Sequence, residues 1–116
     1  MLKIIGSIGL GAMGGSYAKH LLQNNYRVFG IDPDKENSKY FTSLGGIILN
    51  NINDLISKSD VIILSLPTVP IFQEIIKEIE KCKSFSDPKV IIDMNTISLE
   101  DKLDAKNKLE KLNISI

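Results

Sequence analysis

The sequence predicts an α/β fold, a parallel sheet wound in two directions and contained in one domain over residues 1–116. Short apolar, β-branched runs alternate with stretches of helical period, the pattern of strands joined by crossover helices. The first run, Ile4, Ile5 and Ile8, leads directly into Gly9-Leu10-Gly11-Ala12-Met13-Gly14, after which apolar residues recur at helical spacing. The second run, Arg27 to Ile31, ends in Asp32, an acidic residue at the roughly 20-residue spacing expected when such a glycine turn serves a nucleotide.

Strand one, about Lys3 to Ile8, shows no wet face and suits the centre of a sheet covered on both sides. The helix after the glycines places Met13, Tyr17 and Leu21, with Ala18 and Leu22, on adjoining apolar stripes and stops at Asn24-Asn25. Beyond Asp32, Asp34 caps a short helix carrying Tyr40, Phe41 and Leu44, which Gly45-Gly46 terminates. Ile47 to Leu49 is a brief third strand, and Asn51 to Ser57 a helix of one or two turns. Asp60 to Leu66 is the strongest strand, ended by Pro67, which cannot donate to a ladder. Thr68 and Pro70 open a helix whose buried face is Ile71, Phe72, Ile75, Ile76 and Ile79, with Glu74, Lys77, Glu78 and Lys81 toward water. Strand five covers Lys89 to Met94. Ser98 to Asp101 forms a capping box for a helix through Leu103, Leu109 and Leu112, and Asn113 to Ile116 begins a sixth strand.

Right-handed crossovers and the first glycine turn imply the Rossmann-type order 3-2-1-4-5-6. In that topology ligands sit at the carboxyl ends of the strands, beside the reversal between strands one and four. Four places are nominated by this rule: Gly9 to Gly14, Asp32, the exit Leu66-Pro67-Thr68, and the exit Asn95-Thr96. Each glycine answers a steric demand, Gly9 for the turn, Gly11 for the approach of backbone to a pyrophosphate, and Gly14 for close packing of helix on strand. The phosphates would rest on the helix N-terminus, where unpaired N–H groups and the helix dipole favour an anion. Asp32 would accept hydrogen bonds from the adenosine ribose and repel the extra phosphate of NADP, so NAD is the expected cofactor, with Lys35 partly offsetting the carboxylate.

Bulk composition narrows the partners. Lys plus Arg and Asp plus Glu balance at 14 each, so no global field draws the chain to nucleic acid or an anionic membrane. Hydrophobic content of 43% with 24% charged residues fits a globular protein with a core. No apolar run reaches the roughly 18 residues that span a bilayer, and no signal-peptide pattern is visible, so a cytoplasmic location is expected. With one Cys82 and one His20, neither an internal disulfide nor a structural zinc site is expected, and neither residue has neighbours in sequence that suggest catalysis.

Ile8-Gly9-Leu10-Gly11-Ala12-Met13-Gly14, Leu66-Pro67 and Asp93-Met94-Asn95-Thr96-Ile97-Ser98 together resemble the N-terminal domain of the β-hydroxyacid dehydrogenases. That group includes 3-hydroxyisobutyrate dehydrogenase and the 6-phosphogluconate dehydrogenase superfamily. The resemblance implies an NAD(P)-dependent oxidoreductase moving hydride between a 3-hydroxy acid and nicotinamide. It further implies that Leu66-Pro67 lies along the cofactor and that Asn95 and Thr96 approach nicotinamide and substrate. Asn95 stands where the family usually has Ser. The family's catalytic lysine and helical second domain have no counterpart in these residues, so no catalytic residue is expected within them. Binding without turnover is the expectation, with any homodimer or homotetramer formed through that helical domain. Gly15-Ser16 also resembles the turn of prephenate dehydrogenases, and a non-catalytic NAD-sensing module is a further alternative. Binding of S-adenosylmethionine is disfavoured by the full three-glycine turn, which a ligand lacking pyrophosphate does not need.

Overall fold

A computed structural model describes residues 3–116. Six parallel strands stand in the order β3-β2-β1-β4-β5-β6, as the glycine turn and the alternation predicted. In chain order the elements are β1 (Ile4–Ile8), α1 (Ala12–Gln23), β2 (Arg27–Ile31), α2 (Lys35–Ser43), β3 (Ile47–Ile48), α3 (Ile52–Lys58), β4 (Val61–Leu64), α4 (Val69–Glu80), β5 (Lys89–Asp93), α5 (Leu99–Glu110) and β6 (Ile114–Ser115).

Handedness decides which face each helix covers. From β1 to β3 the chain moves one way along the sheet, so α1 and α2 lie on one face; from β3 to β6 it moves the other way, and α3, α4 and α5 lie on the opposite face. The α3–α5 face holds the larger core: Ile8, Ile62, Leu64, Ile91 and Ile114 from the sheet meet Leu55, Ile56, Phe72, Ile76, Ile79 and Leu109 from the helices. Each such fully buried side chain contributes about 1.5–3 kcal/mol relative to exposure. On the α1–α2 face a smaller cluster joins Ile5, Leu10, Ala18, Val28 and Phe41. No crossover in the described residues covers the β5 side of that face, and Val90 and Ile92, which alternate with buried Ile91, are each 45% exposed.

Several boundaries and faces differ from the sequence expectation. In α1 the buried residues are Gly14 and Ala18, while Met13 and Tyr17 are exposed and Leu21 and Leu22 half-buried. The helix sits so close to the sheet that small residues form its seam, and a hydrophobicity pattern selects large ones. Strand four stops at Leu64, not Leu66, and strand five at Asp93, not Met94. Leu103 of α5 faces outward at 49% exposure. At the amino ends of the strands, away from the nominated residues, Lys89 is buried, its Nζ donating to the carbonyls of Ser57 and Ser59 at 3.1 and 2.8 Å. The ammonium thus satisfies acceptors at the end of α3 that the helix leaves open.

Candidate functional site

The glycine turn is shaped by contacts that a side chain would destroy. Gly9 has φ +99°, and a Cβ there would land on the carbonyl oxygen of Ser65 just beyond β4. A Cβ on Gly14 would land on the Gly9 carbonyl oxygen, so the first turn of α1 rests directly on the end of β1. Gly11 differs from both: a Cβ there would meet nothing within 4 Å. Its glycine is therefore unexplained by the protein's own packing, and the open space lies at the N-terminus of α1.

That N-terminus is also bare of side-chain caps. Asp34, Asn51, Thr68 and Ser98 each accept a backbone N–H at the start of α2, α3, α4 and α5, whereas Gly11 at the start of α1 offers none and no acidic residue occupies the first turn. The N–H groups of Ala12, Met13 and Gly14 precede any acceptor the helix can supply. They present the positive end of the dipole to the open space.

Asp32, directly after β2, reaches across to this turn. Its Oδ2 accepts the Leu10 N–H at 2.7 Å and the Asn37 side-chain amide at 3.4 Å, while Oδ1 accepts the Asp34 N–H at 2.8 Å. Ser38 Oγ donates to the Asp32 carbonyl at 3.2 Å. A carboxylate offers about four acceptor positions, and three donors leave capacity for a further hydroxyl. Asn37 and Ser38 were not singled out from the sequence; the signal was the Asp34 cap, which fixes the first turn of α2 beside Asp32. Pro33, Lys35, Ser38, Lys39 and Thr42 border an open groove of about 540 Å³ next to this carboxylate.

At the other end of the cleft, Asn95 joins the exits of β4 and β5. Its Oδ1 accepts the Leu66 N–H at 2.6 Å, and its Nδ2 donates to Asp93 Oδ1 at 2.7 Å and to the Leu64 carbonyl at 3.4 Å. This explains why strand four ends early: the Leu66 N–H has left the ladder for a side chain 29 residues away. Pro67 and Thr68 are exposed, and the Thr68 hydroxyl accepts the Ile71 N–H at 3.3 Å as the cap of α4. Thr96 is exposed beside Asn95.

All the nominated residues therefore lie at the carboxyl ends of four adjacent strands, in the order β2, β1, β4, β5. His20 is outside the cluster, exposed in the last turn of α1. So is Cys82, whose thiol is pushed above its usual range by partial burial and then by Glu78. A raised thiol is a weaker nucleophile at neutral pH.

The model of the NAD-binding domain of 6-phosphogluconate dehydrogenase matches residues 4–116. The chain belongs to that family. This NAD-binding domain is 32% identical over 98 residues to 2-(hydroxymethyl)glutarate dehydrogenase of Eubacterium barkeri, covering 81% of this chain and 32% of the relative. Across the curated relatives it matches, the chain spans between a fifth and a third of their length. Among solved structures it resembles Mycobacterium tuberculosis 3-hydroxyisobutyrate dehydrogenase with a TM-score of 0.88 at 23% identity, covering 99% of this chain and 39% of that one. It also resembles two structures of imine reductase from Myxococcus stipitatus. One, a V8 variant with NAD+, has a TM-score of 0.86 at 19% identity and covers 99% of this chain and 39% of that one. The other, with NADP+, has a TM-score of 0.83 at 18% identity and covers 97% and 38%. At these identities the structural likenesses bear on the fold alone. The family is one of domains that bind a nicotinamide dinucleotide in oxidoreductases. No described helix is long and apolar enough to cross a membrane.

Proposed function

We propose that residues 4–116 bind NAD as the cofactor domain of a dehydrogenase acting on a 3-hydroxy acid. The observation that carries this reading is the uncapped N-terminus of α1 beneath the open space at Gly11. Backbone N–H groups of Ala12, Met13 and Gly14 would receive the pyrophosphate, with Gly9 and Leu10 shaping the turn. Asp32 would accept a hydroxyl of the adenosine ribose through its remaining lone pair. Leu66, Pro67, Thr68 and Thr96 would border the nicotinamide half, where Asn95 and Thr96 are nearest to a substrate. When bound, the nicotinamide supplies the site that takes or gives hydride.

The chain's own contribution is to bind and orient. The lysine that the resemblance makes catalytic has no counterpart in residues 4–116, so on this reading groups outside them would move the proton. The isolated 116-residue chain is expected to bind cofactor without turnover. A second reading, preference for NADP, draws on Lys35 and Lys39 bordering the groove beside Asp32. Titration of the chain with NADH and NADPH by calorimetry separates the two. Tighter binding of NADH is expected; tighter NADPH overturns the cofactor assignment, and failure of both to bind overturns the proposal.

A further inference from the structure

We infer that Asn95 is a positioning residue for the nicotinamide half of the cleft, its side chain turned into the protein and away from the substrate. The inference rests on the dinucleotide reading above and changes the role expected for this residue. Its amide orientation follows from its partners: the Leu66 N–H requires an oxygen, and Asp93 Oδ1 and the Leu64 carbonyl require an N–H. With Oδ1 and both Nδ2 hydrogens engaged internally, the side chain has little capacity left for a ligand.

What it holds in place is the wall of the cleft. Ser65 lies so close to Gly9 and Gly14 that the turn and the β4 exit share one surface. Leu66 is the next residue, and past β4 the sheet no longer fixes its N–H. Asn95 replaces the missing ladder bond. Asp93 in turn orients Asn95, accepting both its backbone N–H, at 2.9 Å, and its side-chain amide on one oxygen. The Asp93 side chain is only 7% exposed; its other oxygen has no hydrogen-bond partner and faces the Lys102 ammonium at 3.9 Å. A chain of contacts thus runs from α5 through Asp93 and Asn95 to Leu66.

The two halves of such a sheet each receive one mononucleotide. Loss of the Asn95 bond therefore affects the nicotinamide half and spares the adenosine half held by Asp32. The test compares the 116-residue chain with Asn95→Ala and Asn95→Asp, titrating each with NADH and with ADP-ribose, which lacks nicotinamide. Asn95→Asp keeps an oxygen for Leu66 but loses the donors to Asp93 and sets two carboxylates side by side. Amide exchange of Leu66 is followed by NMR in the same samples. For Asn95→Ala the expected result is NADH binding about 3- to 10-fold weaker, the scale of one neutral hydrogen bond. ADP-ribose affinity should stay within twofold, and Leu66 exchange should quicken. If the alanine variant does not fold, Asn95→Asp, disturbed through Asp93 while keeping the Leu66 acceptor, should still weaken NADH more than ADP-ribose, with a smaller change in Leu66 exchange.

Equal weakening of both ligands would make Asn95 a merely structural residue and overturn the inference. Unchanged NADH affinity with faster Leu66 exchange would overturn it too. Should the unaltered chain bind neither ligand, the dinucleotide reading is what fails; unaltered Leu66 exchange in Asn95→Ala would still refute the proposed tether.

Discussion

The two ends of the cleft are closed by the same device made from different chemistry. At one end Asp32 Oδ2 accepts the N–H of Leu10, the second residue past β1; at the other, Asn95 Oδ1 accepts the N–H of Leu66, the second residue past β4. Asp32 is charged, half-buried and keeps acceptor capacity toward the groove. Asn95 is neutral, and its donors are directed inward to Asp93 and Leu64. The difference teaches that a backbone tether and a ligand contact are compatible in a carboxylate, which has acceptor positions to share, and compete in an amide, which has few.

Six substitutions at five positions test this comparison. The largest effect is expected where both ends meet. Gly9→Ala places a Cβ on the Ser65 carbonyl in a backbone region hostile to side chains, and urea unfolding should show a loss of roughly 3 kcal/mol. Gly11→Ala, in open space, should leave that midpoint nearly unchanged while weakening NADH binding; an equal loss of stability would remove the distinction between the two glycines. Next comes Asp32→Ala, which strips acceptors from Leu10 and Asp34. Partial exposure lets water replace some of the lost bonds, so a cost of about 1–2 kcal/mol is expected. The milder Asp32→Asn retains an acceptor but not the charge, and calorimetry should find the NADH-over-NADPH preference reduced. An undiminished preference would mean that the carboxylate does not set it.

Asn95→Ala should cost no more than Asp32→Ala, about 1–2 kcal/mol, since the bond to Leu66 is neutral and Asp93, though it loses the side-chain amide, keeps the residue 95 backbone N–H. A larger cost at Asn95 than at Asp32 would reverse the comparison. The smallest change belongs to Thr68→Ala, which removes the α4 cap at about 0.5–1 kcal/mol. Because that hydroxyl already serves Ile71, cofactor affinity should barely move; a marked drop would give Thr68 a direct contact instead.

The sheet order, the glycine turn and Asp32 were legible because their signals are local: a run of β-branched residues, a steric requirement for glycine, an acid at the end of the next strand. The buried face of α4 was equally plain from Phe72, Ile76 and Ile79. Met13 and Tyr17 misled because hydrophobicity rewards bulk, whereas α1 approaches the sheet through Gly14 and Ala18. The early end of β4 depends on Asn95, and no pattern around Leu66 announces a partner so distant in sequence. The spacing of Asp93 and Asn95 did carry a trace of it, since an Asp accepting the N–H two residues on is a common turn. Buried Lys89 was hidden for a related reason, as its acceptors belong to another element.

The close fit of Gly9, Gly14 and Ser65 has an evolutionary consequence. Where a ligand's surroundings are main chain, point mutation has nothing to edit except by breaking the fold, so that part of the protein is frozen. On the dinucleotide reading proposed above, variation in which cofactor is chosen would then fall to the rim, at Asp32, Lys35 and Lys39, where side chains can be exchanged without disturbing the floor.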